Sequence, residues 1–211
     1  MNLTSREAIE KSDHLTTVIV DLRNITLFAE GHPKGAISIP FSERSLSNRI
    51  QLATPNVKAV IFLAENDSQL SSACSQLEAE GSITPSVLTD GYSGWLEQEL
   101  PTESIGKISV YNLLEEIEKN PELLVLDVRE SIEWETGHVP KAKLISLGEI
   151  VSRHNELPDS KPIAVICEGG IRSSTAASIL QSQGFSKLYN VIEGSMGYRN
   201  GGYPLEYFIE S

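Results

Sequence analysis

This chain carries one pattern twice. Val18-Ile-Val-Asp21-Leu-Arg23 returns as Leu124-Val-Leu-Asp127-Val-Arg129, and Gly31-His32-Pro33 with Ala36 returns as Gly137-His138-Val139 with Ala142, both 106 residues later. Further on the spacing is 103. Ala64-Glu65, Leu77 and Gly81 match Cys167-Glu168, Leu180 and Gly184, and Gly91-Tyr-Ser-Gly94-Trp95 matches Gly194-Ser-Met-Gly197-Tyr198, as Pro101 matches Pro204. One three-residue length difference reconciles the two spacings. Chance does not hold register over so many glycines, so the chain reads as a duplicated domain. Its 211 residues suffice for two domains of about 100 each. These are expected at 1–102 and 107–211, joined by the short polar stretch Pro101–Lys107.

Within each repeat, short apolar runs alternate with helical patterns. In the second, Val110–Glu118 has helical periodicity behind Ser109 as N-cap. Leu123–Leu126, Lys143–Ser146, Ile163–Ile166 and Lys187–Val191 read as strands. Ser131–Thr136 reads as a helical turn, and Ser173–Gln183 as a helix ended by Gly184, with a last helix after Gly194. Continuous apolar strands alternating with helices imply an α/β domain with a mainly parallel sheet, whose ligands bind at the carboxyl ends of the strands.

The chemistry-bearing stretch is Ile163-Ala-Val-Ile-Cys167-Glu-Gly-Gly-Ile-Arg172-Ser-Ser. Cys167 stands where a buried strand ends. Glu168, Gly169, Gly170 and Ile171 form a turn whose backbone N–H groups can curl around a point above the sulfur, and glycine permits the dihedrals this requires. The helix expected near Ser173 directs its positive end there. Both effects favour the thiolate. The cavity suits an anion or the outer sulfur of a persulfide. Arg172 is placed to neutralise an anionic donor or to orient the cavity. Glu168 puts a negative charge next to the nucleophile and is expected to oppose thiolate formation and repel a dianion.

This loop, preceded by Asp127-Val-Arg129-Glu and by Glu135-Thr-Gly137-His138-Val-Pro140, resembles the rhodanese (sulfurtransferase) superfamily. The resemblance covers almost the whole chain, as two tandem rhodanese-like domains. It implies ping-pong transfer of sulfane sulfur from a small anionic donor such as thiosulfate to cyanide or a thiol, through a persulfide on Cys167, without metal or organic cofactor. It also implies a supporting role for Asp127 and Arg129 near the loop, where a structural ion pair is the simpler reading. Four residues separate Cys167 from Arg172. The related dual-specificity phosphatases carry one more, in a wider nest for phosphate, so sulfur transfer ranks above a cysteine phosphatase. A non-turnover sulfur-relay or sensing module, loaded by a partner protein, is the other alternative. Lys141 departs from the family signature, which has glycine there; the first repeat keeps Gly35.

In the first repeat, Ala64 stands for Cys167 and Gln69 for Arg172, with Asn66 and Asp67 in place of the two glycines. That half is expected to be catalytically inactive. Cys74 lies in an apolar helical pattern and reads as core. His32 and His138, present in both copies, read as structural, and Trp134, Trp95 and Tyr198 as packing against the sheet. The net charge of −12 disfavours nucleic-acid and anionic-membrane partners. Two cysteines without a CxxC spacing and four scattered histidines form no metal pattern. With no apolar leader or membrane-length run, a cytoplasmic protein is expected.

Overall fold

The computed structural model describes residues 1–207. The chain forms two compact units, Met1–Ser104 and Ile105–Ser211, the last four residues of the second lying outside the described part. The first unit runs β1 (Asn2–Leu3), α1 (Ser5–Lys11), β2 (Thr17–Asp21), α2 (Ile25–Glu30), β3 (His32–Pro33), β4 (Ile37–Ser38), α3 (Leu46–Ala53), β5 (Ala59–Leu63), α4 (Asp67–Glu80), β6 (Thr84–Leu88), α5 (Gly91–Glu97) and β7 (Thr102–Glu103). The second runs β8 (Gly106–Ile108), α6 (Val110–Lys119), β9 (Leu124–Asp127), α7 (Ser131–Trp134), β10 (Lys143–Leu144), α8 (Ile150–Arg153), β11 (Ile163–Ile166), α9 (Ile171–Ser182), β12 (Leu188–Val191) and α10 (Gly194–Asn200).

The two main sheets share one topology. Strand order is β1-β6-β5-β2-β4 in the first and β8-β12-β11-β9-β10 in the second, and every neighbouring pair is parallel. Helices flank both sheets, as the alternating pattern requires. The central strand of the second sheet, Ile163-Ala-Val-Ile166, is fully buried. Each such aliphatic side chain contributes about 1.5–3 kcal/mol by leaving water. Ile108, Leu113, Val125, Val139, Ile166, Val191 and Tyr198 share one core cluster. Ser109 caps α6 by accepting from the Asn112 N–H, as its position before an apolar period predicts.

The stretch 101–107 differs from a polar linker. β7 pairs antiparallel with β3, His32 opposite Glu103. The second unit repeats this contact as a bridge between His138 and Glu206. In both copies the carboxylate accepts from a turn N–H, Gly35 to Glu103 at 3.1 Å and Lys141 to Glu206 at 2.8 Å. Gly106–Ile108 is the edge strand β8, paired with β12. Strands of two or three residues are too short to show a period, so composition alone marks them as linker.

Candidate active site

Cys167 directly follows β11 and is 1% exposed. α9 begins at Ile171, two residues before the expected start, so Arg172 lies inside the helix and does not close the turn. The N-cap is Gly170 at φ +85°, a left-handed conformation that glycine adopts without strain, and no side chain caps the helix. The first-turn N–H groups of α9, which a helix cannot satisfy internally, are thus left without a side-chain acceptor beside the sulfur. The loop carbonyls are tied on their other side. Ser195 N–H donates to Cys167 O at 2.7 Å and Met196 N–H to Glu168 O at 3.1 Å. This approach requires Gly194: a Cβ there would lie 2.4 Å from Glu168 O and 2.5 Å from Cys167 O.

The charged residues around the loop are paired. Arg129, fully buried, donates to both carboxylate oxygens of Asp127 and to the carbonyls of Gly137 and Glu133. Arg23 and Asp21 make the equivalent pair in the first unit, with Gly31 O as a further acceptor. Asp127 and Arg129 therefore have the geometry of a structural ion pair bracing the turn after β9. Removing one partner from a buried pair costs about 3–5 kcal/mol. Arg172 does not stand free towards the loop. It donates bidentately to Glu133, at 2.6 and 2.7 Å. Hydrogen bonds from Arg172 outweigh burial and hold the Glu133 carboxyl down at about 2, while Glu133 pushes the Arg172 guanidinium up.

Glu168 also departs from the reading of its charge. Its carboxylate turns to Ser195 Oγ at 2.8 Å and to the Arg199 guanidinium, with Arg129 Nη1 at 3.8 Å. Burial pushes its carboxyl up, but the hydrogen bonds from Arg199 and Ser195 prevail and it sits below the usual range. Its negative charge is neutralised locally by these partners. Ser173 lies against the sulfur, Oγ to Sγ 3.3 Å, and donates to Asn190 Oδ1 at 2.6 Å. Gly169 is exposed, and Ile171, 50% exposed, projects from the loop.

The first unit closes the same place by itself. Asn66 caps α4, its side chain accepting from Gln69 N–H, and Glu65 N–H donates to Gln69 Oε1. Glu65 binds Asn24. Side chains of the loop itself thus occupy the helix end that α9 leaves uncapped.

Sequence reading did not single out Glu133, Asn190, Ser195 or Arg199. A signal existed: the equivalent residues in the first repeat are Leu27, Val87, Tyr92 and Leu96, three of which have no polar side-chain atom. The histidines behave alike in both copies, each ring Nδ1 at a carbonyl, Phe28 O or Trp134 O. Trp95 and Tyr198 are buried, but Trp134 is half-buried and stacks on His138 at 3.5 Å. Cys74 is half-exposed, contrary to a core role. Burial and Glu78 push its thiol up. Among the described residues, no cluster of three or more His, Cys, Asp or Glu side chains could hold a metal, and no helix is long and apolar enough to cross a membrane.

Comparison with known proteins adds the lineage. Residues 4–98 and 109–200 each match the family model of the rhodanese-like domain. A Bacillus subtilis protein provisionally named a sulfur carrier is 38% identical over 117 residues, covering 56% of this chain and 62% of that protein. The chain thus spans under two thirds of that relative's length. A second Bacillus subtilis protein, provisionally named a sulfurtransferase, is 38% identical over 94 residues, 44% of this chain and 90% of that one. A thiosulfate sulfurtransferase of Pseudoalteromonas translucida is 31% identical over 87 residues, 41% of this chain and 82% of that protein.

Proposed function

The chain belongs to the rhodanese-like domain family in both repeats, and from that premise we propose that it is a sulfurtransferase whose chemistry resides on Cys167 of the second repeat. The observation that carries this reading is the contrast between two copies of one loop. One ends its strand in a cysteine beside an uncapped helix N-terminus. The other ends in Ala64 beside a helix capped by Asn66. Relatives provisionally named sulfur carrier and sulfurtransferase agree with it.

In the proposed reaction, the Cys167 thiolate attacks the outer sulfur of a sulfane donor. The new S–S bond forms as the donor's bond to that sulfur breaks, and the electron pair leaves with the donor, as sulfite from thiosulfate or a thiolate from a persulfide. An acceptor thiolate, or cyanide, then attacks the outer sulfur and regenerates the Cys167 thiolate. First-turn N–H groups of α9 would hold the outer sulfur's negative charge. Arg172 acts through Glu133, fixing α9 against α7. Glu168, Gly169, Gly170 and Ile171 form the rim, and Asp127 and Arg129 brace it.

Donor choice follows from charge. Arg172, Arg129 and Arg199 are each matched by a carboxylate, so these three arginines offer little net attraction to a dianion such as thiosulfate. This favours a persulfide on a carrier thiol as the donor, and a relay partner over free thiosulfate. The test is mass spectrometry of the full chain after thiosulfate, 3-mercaptopyruvate or glutathione persulfide. One added sulfur on Cys167, absent in Cys167→Ser and fastest with the persulfide, is the expected result. Loading on Cys74, or none from any donor, overturns the reading.

A further inference from the structure

Behind Cys167 lies a closed hydrogen-bond relay. Cys167, Ser173 and Asn190 are each at most 1% exposed. Asn190 Nδ2 donates to Gly170 O at 3.1 Å, which fixes the amide so that Oδ1 faces Ser173. Ser173 Oγ donates to that oxygen at 2.6 Å, and its other side meets Cys167 Sγ at 3.3 Å. A hydroxyl has one proton. With that proton on Asn190, Ser173 presents lone pairs to the sulfur. In that orientation it can accept the S–H of a thiol but has no proton for a thiolate, which it can serve only by leaving Asn190.

We infer that Asn190 is a positioning residue that turns the Ser173 proton away from Cys167 and so disfavours the one state with negative charge on the inner sulfur. The inference deepens the sulfur-transfer reading and rests on it. When the thiol loses its proton, the Ser173 hydroxyl must swing from Asn190 Oδ1 to Sγ, and a buried amide oxygen loses its donor. In a persulfide the charge sits on the outer sulfur, and the hydroxyl returns to Asn190 with every group satisfied. The relay therefore biases Cys167 away from the bare thiolate and towards the loaded form. Asn190 can hold this geometry because β12 is paired on both sides, Asn190 opposite Val165 on β11 and Lys107 on β8. In the first repeat Leu70 and Val87 stand at these positions beside Ala64, where no sulfur needs the control.

The test is the pH profile of Cys167 alkylation by iodoacetamide, read on the Cys167 peptide of the full chain. The charged groups around the loop stay unchanged in every variant: Arg172 on α9, Glu130 and Glu133 at α7, Glu168 in the loop, Asp127 and Arg129 after β9, and Arg199 on α10. Asn190→Leu frees the Ser173 hydroxyl to donate to sulfur and is expected to lower the midpoint by about one pH unit, a tenfold change in thiolate fraction. Ser173→Ala removes the donor altogether and is expected to raise it. In the Ser173→Ala background, Asn190→Leu should add no shift. A midpoint that rises or stays put in Asn190→Leu, or a shift that persists without Ser173, overturns the inference. If Asn190→Leu does not fold, an unmoved midpoint in Ser173→Ala overturns it alone. Alkylation needs no sulfur donor. These shifts without sulfur loading would retain the relay and discard the transfer reading.

Discussion

Lys141 adopts a left-handed backbone, φ +63°, at the position where the first repeat has Gly35 at +76°. The turn is the same in both copies, since each N–H donates to the matching glutamate. An L-residue there bears a steric cost of about 1–2 kcal/mol, and glycine gives part of that back in unfolded-state entropy. Lys141→Gly is therefore expected to stabilise the chain by about 0.5–1 kcal/mol in urea unfolding, with sulfur loading unchanged. Glu133 yields a prediction of a different kind. Its carboxyl is held down at about 2 in the folded chain, against an ordinary value of 4.5. A depressed carboxyl stabilises the fold above its unfolded value and loses that contribution as pH falls through the folded one. The stability gap between wild type and Glu133→Gln should thus be full at neutral pH and close between about pH 4.5 and pH 2. Thermal melts across that window read it directly, and a gap independent of pH would show that the pair with Arg172 contributes nothing.

Elements were legible in proportion to their length and period. Ile163–Ile166 is a buried apolar run and emerges as β11, and the period of Val110–Glu118 emerges as α6. The glycines after Cys167 marked its turn, because only a few backbone conformations join a buried strand so abruptly to a helix. Hidden were contacts whose partners lie far along the chain. Arg172 meets Glu133 39 residues away and Arg199 meets Glu168 31 residues away, distances that no helical or strand period reports. Asn190 was hidden for another reason, as one polar residue inside an apolar strand. Gly194 shows how element packing shapes the loop. It and Gly91 share a left-handed φ, +62° and +60°, but a Cβ would strike the Cys167 and Glu168 carbonyls at Gly194 and meet nothing within 4 Å at Gly91. Gly91→Ala should cost only the backbone strain, about 1–2 kcal/mol. Gly194→Ala should cost more and abolish sulfur loading on Cys167, since the α10 N-terminus must withdraw from the loop. Equal losses of stability with intact loading would refute the clash.

At the scale of the whole molecule, duplication has left two copies of one sheet with different ends on the same strand. The scaffold is retained in both: the strand order, the buried Asp–Arg pair, the histidine held at a carbonyl, the glutamate that binds the turn. The differences cluster at the loop. Arg23, the counterpart of Arg129, lies over the Tyr92 ring at 4.3 Å, where the second copy has Ser195 beside Glu168. The absent cysteine is thus one of several differences at the first copy's loop. Its helix end is filled by Asn66, its relay positions are Leu70 and Val87, and Gln69 stands where the second copy has Arg172. A sulfur placed at Ala64 would find the N–H of Gln69 already taken by the Asn66 side chain, and neither a hydroxyl nor an amide behind it. Ala64→Cys, made in a Cys167→Ser background, is therefore expected to fold and to alkylate, yet to take up no sulfur from a persulfide donor by mass spectrometry. Asn66→Gly added to it uncaps α4 and should restore measurable loading. Uptake by Ala64→Cys alone would mean that strand and thiol suffice, and that the uncapped helix end in the second copy is dispensable.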